Sequence, residues 1–137
     1  MTTITAAQEA LAQRFVDTWT PTGHEFTLEN EKFSRPEDAP WARFSVRINA
    51  STQDTLGGVG NRKFQRSGSA FIQIFTPLDE GTNRSSQLVE TVLNGFEGTR
   101  IVGTTIRFND VIPRQTGVDD IWFGQTVEAT FDFDETK

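Results

Sequence analysis

The sequence predicts an α+β two-layer sandwich: a mostly antiparallel mixed sheet, two helices on one face, and a long glycine-rich loop between two strands. Three observations predict it. Residues 4–19 and 83–97 place apolar side chains at helical spacing. Residues 41–50 and 127–134 alternate apolar and polar side chains with a period of two. The elements run helix, short strand, strand, strand, helix, strand, strand, an order that segregates the helices into one layer.

The first helix gathers Ile4, Ala7, Leu11, Phe15, Thr18 and Trp19 on one stripe, with Gln8, Glu9, Gln13 and Asp17 elsewhere. Thr3 or Thr5 is its N-cap, and Pro21 with Gly23 ends it. His24–Asn30 reads as a short strand. The loop KFSRPEDAP follows, because its two prolines restrict the backbone and remove donors. In Trp41–Ala50, Phe44, Val46, Ile48 and Ala50 share one face, while Arg43, Ser45, Arg47 and Asn49 share the other.

Ser69–Pro77 is the next strand, closed by Pro77 and a turn over Leu78–Asn83. Leu88, Val89, Val92, Leu93 and Phe96 form the stripe of the second helix, and Gly98 stands where a left-handed residue is wanted. Strands over 101–112 and 121–135 finish the chain. In the last, Val127, Ala129, Phe131 and Phe133 oppose Glu128, Thr130, Asp132 and Asp134, so one face of the sheet is wet. Neighbouring strands are expected to pair antiparallel.

At 137 residues the chain fits one domain, 1–137, whose core needs no covalent staple. Cysteine is absent, which excludes disulfides and thiolate metal sites and fits a reducing compartment. A net charge of −6 opposes non-specific binding to nucleic acid or anionic membranes. No signal peptide and no membrane-spanning apolar run are read from the sequence. The charge is uneven. Arg43, Arg47, Arg62, Lys63 and Arg66 face one acid, Asp54, for a net +4 over 43–66, whereas 110–137 carries a net −5. This is either chance surface charge or a protomer with complementary ends.

The stretch TLGGVGNRKFQRSG, Thr55–Gly68, holds the main candidate for chemistry. A P-loop needs a Gly-Lys-Ser/Thr step leading into a helix, but Lys63 follows Arg62 and a strand comes next. The dinucleotide fingerprint fails for want of a third glycine. Arg62, Lys63 and Arg66 around Phe64 interleave charge with an aromatic, which is thin support for nucleic-acid binding on an acidic chain. A flexible interaction loop is the best reading. Ser51–Ser67, about seventeen residues, is expected to be unstructured and mobile, ordering when the three basic residues meet a partner's carboxylates.

Hydrolytic chemistry finds no footing. The single histidine, His24, reads as a surface residue, and neither a GxSxG nor an HExxH motif is present. Asp132, Asp134 and Glu135 hint at a metal site, but strand alternation already accounts for the first two. No cofactor is expected. Trp41 follows a proline loop, and the adjacent Trp122 and Phe123 must face opposite sides of their strand. One large aromatic is then covered by something other than the helices, either the chain's own packing or a subunit contact.

Three segments together resemble the phage tail terminator-like proteins. They are NEKFSRPEDAPWARFSV, with its N-x-x-F-x-x-P-x-x-x-x-W spacing; RSGSAFIQIFTPLDEGTNRSSQLVETVLNGFEGTRI, a strand and a helix ending in F-x-G-x-R; and VDDIWFGQTVEATFDF. The resemblance runs from about Glu29 to Asp134. It implies a structural virion protein without catalytic residues. Such a protein forms a hexameric ring at the tail–neck junction of long non-contractile tails, after synthesis in the host cytoplasm. The ring would stop polymerisation of the tail tube protein, meet a head completion or neck protein, and let DNA pass without specific binding. Arg43, Arg47, Arg62, Lys63, Phe64, Arg66, Trp41, Trp122 and Phe123 are the candidate contacts with another subunit or the tube. A contact built on charge pairs would weaken as salt rises. The alternatives are another neck protein, such as a head–tail connector or tail completion factor, and a small ligand-binding domain using the glycine loop.

Overall fold

The computed structural model describes residues 2–78, 82–119 and 121–137. Helix α1 (Ile4–Trp19) leads into a 3-10 turn at Thr20–Thr22 and strand β1 (Glu25–Leu28). Strands β2 (Trp41–Gln53) and β3 (Lys63–Pro77) come next, then helix α2 (Asn83–Phe96), and finally β4 (Arg107–Asp119) and β5 (Trp122–Thr136). The five strands form one sheet in the order β1-β2-β3-β5-β4. The turn expected after Pro77 includes Asp79–Gly81, which lie outside the described residues.

Local chemistry sets the helix ends. The Thr3 hydroxyl accepts from the Ala6 N–H at 3.1 Å, satisfying one of the donors that a helix N-terminus leaves open. Gly23 ends the turn after α1 with φ +76°, and Gly98 follows α2 with φ +63°, both left-handed positions that glycine takes without steric penalty. Ala7, Leu11, Phe15 and Trp19 are buried on α1, and Leu88, Val89, Val92 and Phe96 on α2. Ile4, at the start of the expected α1 stripe, is 40% exposed.

Both helices close on the same sheet face. Ala42, Phe44, Ala70, Ile72, Ile74, Val127, Ala129, Phe131 and Phe133 are the strand residues of that core. Phe15 stacks on Phe44 with centroids 5.0 Å apart, and Phe96 meets Phe108 edge-on at 5.2 Å. The buried Gln125 amide donates to the Ser85 hydroxyl, tying β5 to the first turn of α2.

Three expectations need correction. The strand pair β1–β2 is parallel rather than antiparallel. Residues 29–40 are long enough to carry the chain back for a parallel return, which needs about a dozen residues. The penultimate strand starts at Arg107 instead of 101 and runs on through Pro113 to Asp119. Residues 101–106 turn instead, because the Thr104 hydroxyl and N–H both bond to the Ile101 carbonyl, at 2.8 and 3.3 Å. Pro113 is tolerated because β4 is an edge strand. Finally, β2 reaches Gln53 and β3 begins at Lys63, so the glycine-rich loop spans only residues 54–62. The strand ends Ser51–Gln53 and Phe64–Arg66 pair with each other, and β3 gains β5 as a second partner there.

The two helices approach each other closely where Gly95 meets Thr18. A Cβ on Gly95 would stand 3.0 Å from the Thr18 Cβ and closer still to its γ atoms. Gly95→Ala is therefore expected to destabilise the fold by about 1–3 kcal/mol, although alanine is the better helix former. The double variant Gly95→Ala with Thr18→Ala should recover that loss in thermal melts. An unchanged melting temperature for Gly95→Ala alone would show that this contact is not tight.

Candidate subunit and tail-tube interface

The long β2–β3 hairpin carries most of the candidate contact residues, and its tip is the most exposed apolar part of it. Leu56 is 99% and Val59 87% exposed, flanked by the glycines of residues 57–60. The Asp54 N–H donates to the Lys63 carbonyl at 2.8 Å, and the Thr55 hydroxyl accepts from the Lys63 N–H at 2.8 Å. The tip therefore projects from a hydrogen-bonded base.

The basic residues behind the tip lie beside acids of their own chain, because β3 pairs with β5 over its whole length. Arg66 donates to the Glu135 carboxylate at 3.0 and 3.1 Å and to the Ser51 hydroxyl at 2.9 Å. Both members of that ion pair are nearly buried, with side chains 11% and 10% exposed. Lys63 reaches Asp134 at 3.5 Å. Arg62, Arg66 and Lys137 surround the Phe64 ring with their charges 5.4–6.0 Å from its centroid. Backbone bonds between Arg62 and Lys137, at 2.9 and 3.2 Å, hold residue 137 against the hairpin base.

The rest of the acidic segment is similarly engaged. Arg107 bonds Asp132 through Nε at 2.7 Å and reaches Asp134 at 3.3 Å, an arrangement that raises its pKa, chiefly through the Asp132 hydrogen bond. Arg114 meets Glu128 at 3.0 Å, and the Ser69 hydroxyl donates to the other oxygen of Glu128. The +4 and −5 segments are thus neighbours in one sheet rather than opposite ends of a protomer. Arg43 and Arg47 remain exposed, without an ion-pair partner among the described residues.

Trp41 and Trp122 lie on the sheet face away from the helices, as does Phe75 between them. The Trp41 and Phe75 rings stack at 4.3 Å, and Trp122 meets Trp41 edge-on at 6.1 Å. Phe33, from the loop after β1, packs on Trp41 at 5.2 Å, and Arg43 lies over both the Trp41 and Phe75 rings. Both tryptophans are at most 2% exposed, and Phe33 of the chain's own loop packs against their cluster. A partner could reach Trp41 only after that loop moved. Phe123, next to Trp122, is half-buried on the other side of the strand. Sequence reasoning missed Phe33 and Phe75 because β3 reads as apolar on both faces, and nothing in the spacing says which loop folds over it.

Among the described residues, catalytic groups do not converge. His24 is half-buried beside Trp19; burial first and Arg84 second hold its pKa below the usual histidine value. A cleft of about 530 Å³ beside the end of β1 is lined by residues including Glu29, Glu31, Arg35 and Arg43, whose charges are mixed. Among the described residues, no three His, Asp or Glu side chains are grouped to hold a metal ion, and no helix is long and apolar enough to cross a membrane.

The profile of the family described as phage tail terminator protein matches residues 6–129. The chain belongs to this family. The matched region takes in nearly all of α1, the hairpin, α2, β4 and the first half of β5. This is a structural, non-enzymatic family, and membership gives the terminator chain a structural role in a phage tail. No curated protein matches the sequence. One solved structure superposes with a TM-score of 0.66 over 92% of this chain and 94% of the other, at 15% identity, a likeness that establishes the fold.

The near-buried Arg66–Glu135 pair changes what removal of the hairpin charges should do. Arg62→Ser, at a half-buried position whose guanidinium donates, among the described residues, only to the Lys137 carbonyl, is expected to leave stability within about 0.5 kcal/mol. Arg66→Met strands the Glu135 carboxylate and should destabilise the terminator domain by about 3 kcal/mol in urea unfolding. Arg66→Met with Glu135→Leu should recover most of that loss. A single variant as stable as the parent would mean that Glu135 finds water where the structure buries it.

Proposed function

We propose that this chain is a ring-forming tail terminator that caps the head-proximal end of the tail tube. Six copies would stop polymerisation of the tube protein and offer the surface on which a head completion or neck protein docks. The family match over residues 6–129 carries this reading. Three features of the molecule suit it. The hairpin tip presents Leu56 and Val59 to solvent beyond a rigid base, where a tube subunit or a neighbouring copy could bury them. Arg43 and Arg47 leave positive charge uncompensated on the bare sheet face. A net charge of −6 suits a ring that DNA passes through without being gripped.

The internal pairing of Lys63 and Arg66 shifts the proposed docking from those charges to the tip itself. On this reading the protein is made in the host cytoplasm and ends in the virion at the tail–neck junction. Phage lacking a working copy should assemble overlong tubes without heads, visible by negative-stain microscopy; tubes of normal length would refute the capping role. The pair Leu56→Ser and Val59→Ser should leave the melting temperature unchanged while reducing the fraction of tubes that are capped. Normal capping by that variant would make the tip ordinary surface.

A further inference from the structure

The sheet has two open edges, and they match in height. On one side, β1 pairs with β2 only from Trp41 to Phe44, although β2 continues to Gln53. The Glu29 carboxylate accepts from the Val46 N–H at 3.5 Å, and beyond it no described group pairs the outer edge of β2. On the other side β4 has no outer neighbour among the described residues, apart from an isolated bridge between Arg100 and Arg107. Exposed edges template pairing with another chain, and proteins normally guard them with proline, charge or bulges.

Here the guards are placed selectively. Tracing the register across the sheet, Phe44 is level with Ile72, Val127 and Pro113. Pro113 and the bulge between Gln115 and Gly117 thus block β4 only at the heights where β1 already covers β2. Below them, Ser45 is level with Phe71, Glu128 and Ile112, and Ile48 with Gly68, Phe131 and Phe108. Over these heights neither edge carries proline. Each has one bulge, at Asn49 on β2 and at Asn109–Asp110 on β4, within about a residue of the same level. Arg47, level with Ser69 and Thr130, has no ion-pair partner among the described residues, and neither has Asp110, whose backbone bonds Thr130.

We propose that the open edge of β2, Ser45–Gln53, pairs antiparallel with the open edge of β4, Arg107–Ile112, in the next copy of this chain. The inference rests on the ring reading above and names its joint. The two edges lie on opposite sides of one sheet, so the contact is head-to-tail and closes only when the copies form a ring. A sheet continued in this way around a ring leaves no unguarded edge over these heights, and the part of β4 beyond them is guarded by Pro113 and its bulge. β2 and β4 run in opposite directions, so copies related by rotation about an axis along the strands meet antiparallel, the more stable pairing. Arg47 of one copy then faces Asp110 of the next across the joint.

The chain contains no cysteine, so an engineered pair reports without background. Ser45 and Ile112 share the bare face and one level, within the ~4.4–6.8 Å Cα separation that a disulfide spans if the edges pair. The full-length Ser45→Cys, Ile112→Cys protein is assembled on tail tubes and oxidised. A ladder of covalent oligomers that ends at the closed ring and collapses to monomer on reduction is expected, with neither single variant cross-linking. Ser45→Cys with Asn109→Cys or Arg114→Cys covers a two-residue slide of register. Cross-linking of Ser45→Cys to itself would overturn the proposal in favour of a two-fold contact. Rings visible on the tubes with no cross-link from any pair would overturn the joint and leave the ring reading intact. Tubes bearing no rings with the parent chain would overturn both. Arg47→Glu should reduce the cross-linked fraction severalfold, and adding Asp110→Arg should restore it.

Discussion

β3 is hydrogen-bonded to β5 from Lys63 to Pro77 and to β2 over nearly the same length, and every other feature is placed by that central pairing. Its even-numbered residues Ala70, Ile72 and Ile74 form the floor on which both helices close. Its odd-numbered Phe75 joins Trp41 and Trp122 on the opposite face. Because side chains alternate along a strand, a slip of one residue between β3 and β5 would exchange these two sets and leave neither cluster intact. The fold is thereby committed to a single register.

That register also decides the electrostatics. It sets Arg66 beside Glu135 and Lys63 beside Asp134, so the sequence's basic and acidic blocks neutralise one another within the chain. Of the basic block, Arg43 and Arg47 stay exposed without an ion-pair partner among the described residues. On the proposed ring reading, apolar contact at the hairpin tip and backbone pairing at the sheet edges would carry association beside such charges. Both are less sensitive to ionic strength than surface ion pairs, which salt screens over about 10 Å. The weakening in salt expected from the charge split should accordingly be shallow.

The bare face of the sheet is covered at one end only. The Phe33 loop and Arg43 close over Trp41 and Phe75, while Ser45, Arg47, Phe71, Gln73 and Thr126 line an open depression further along. Neither the Trp41 nor the Trp122 indole N–H makes a hydrogen bond within the described residues, a cost of about 1–3 kcal/mol each. The aromatic contact is strong enough to carry that cost, since each large ring removes roughly 150–250 Å² from water.

Wherever a local pattern had one physical solution, the sequence by itself determined the outcome. The α1 and α2 stripes, a threonine cap at Thr3 or Thr5, the helix stop at Gly98 and the alternation of Val127–Phe133 all follow from spacing within a few residues, and so does the α+β class; the structure chose Thr3. The family resemblance was legible as well, in segments whose order spans most of the chain. What only the tertiary structure decided depends on residues far apart in sequence. The ends of β2 and β3 are polar and read as loop, yet they are strand because β5 supplies a second ladder. The hairpin basics read as free, yet Glu135 and Asp134 arrive beside them from some seventy residues away. Whether a tryptophan is buried or presented depended on which loop folds over it. Periodicity reports one chain's local geometry, whereas pairing across a sheet is a choice among partners made by the whole core.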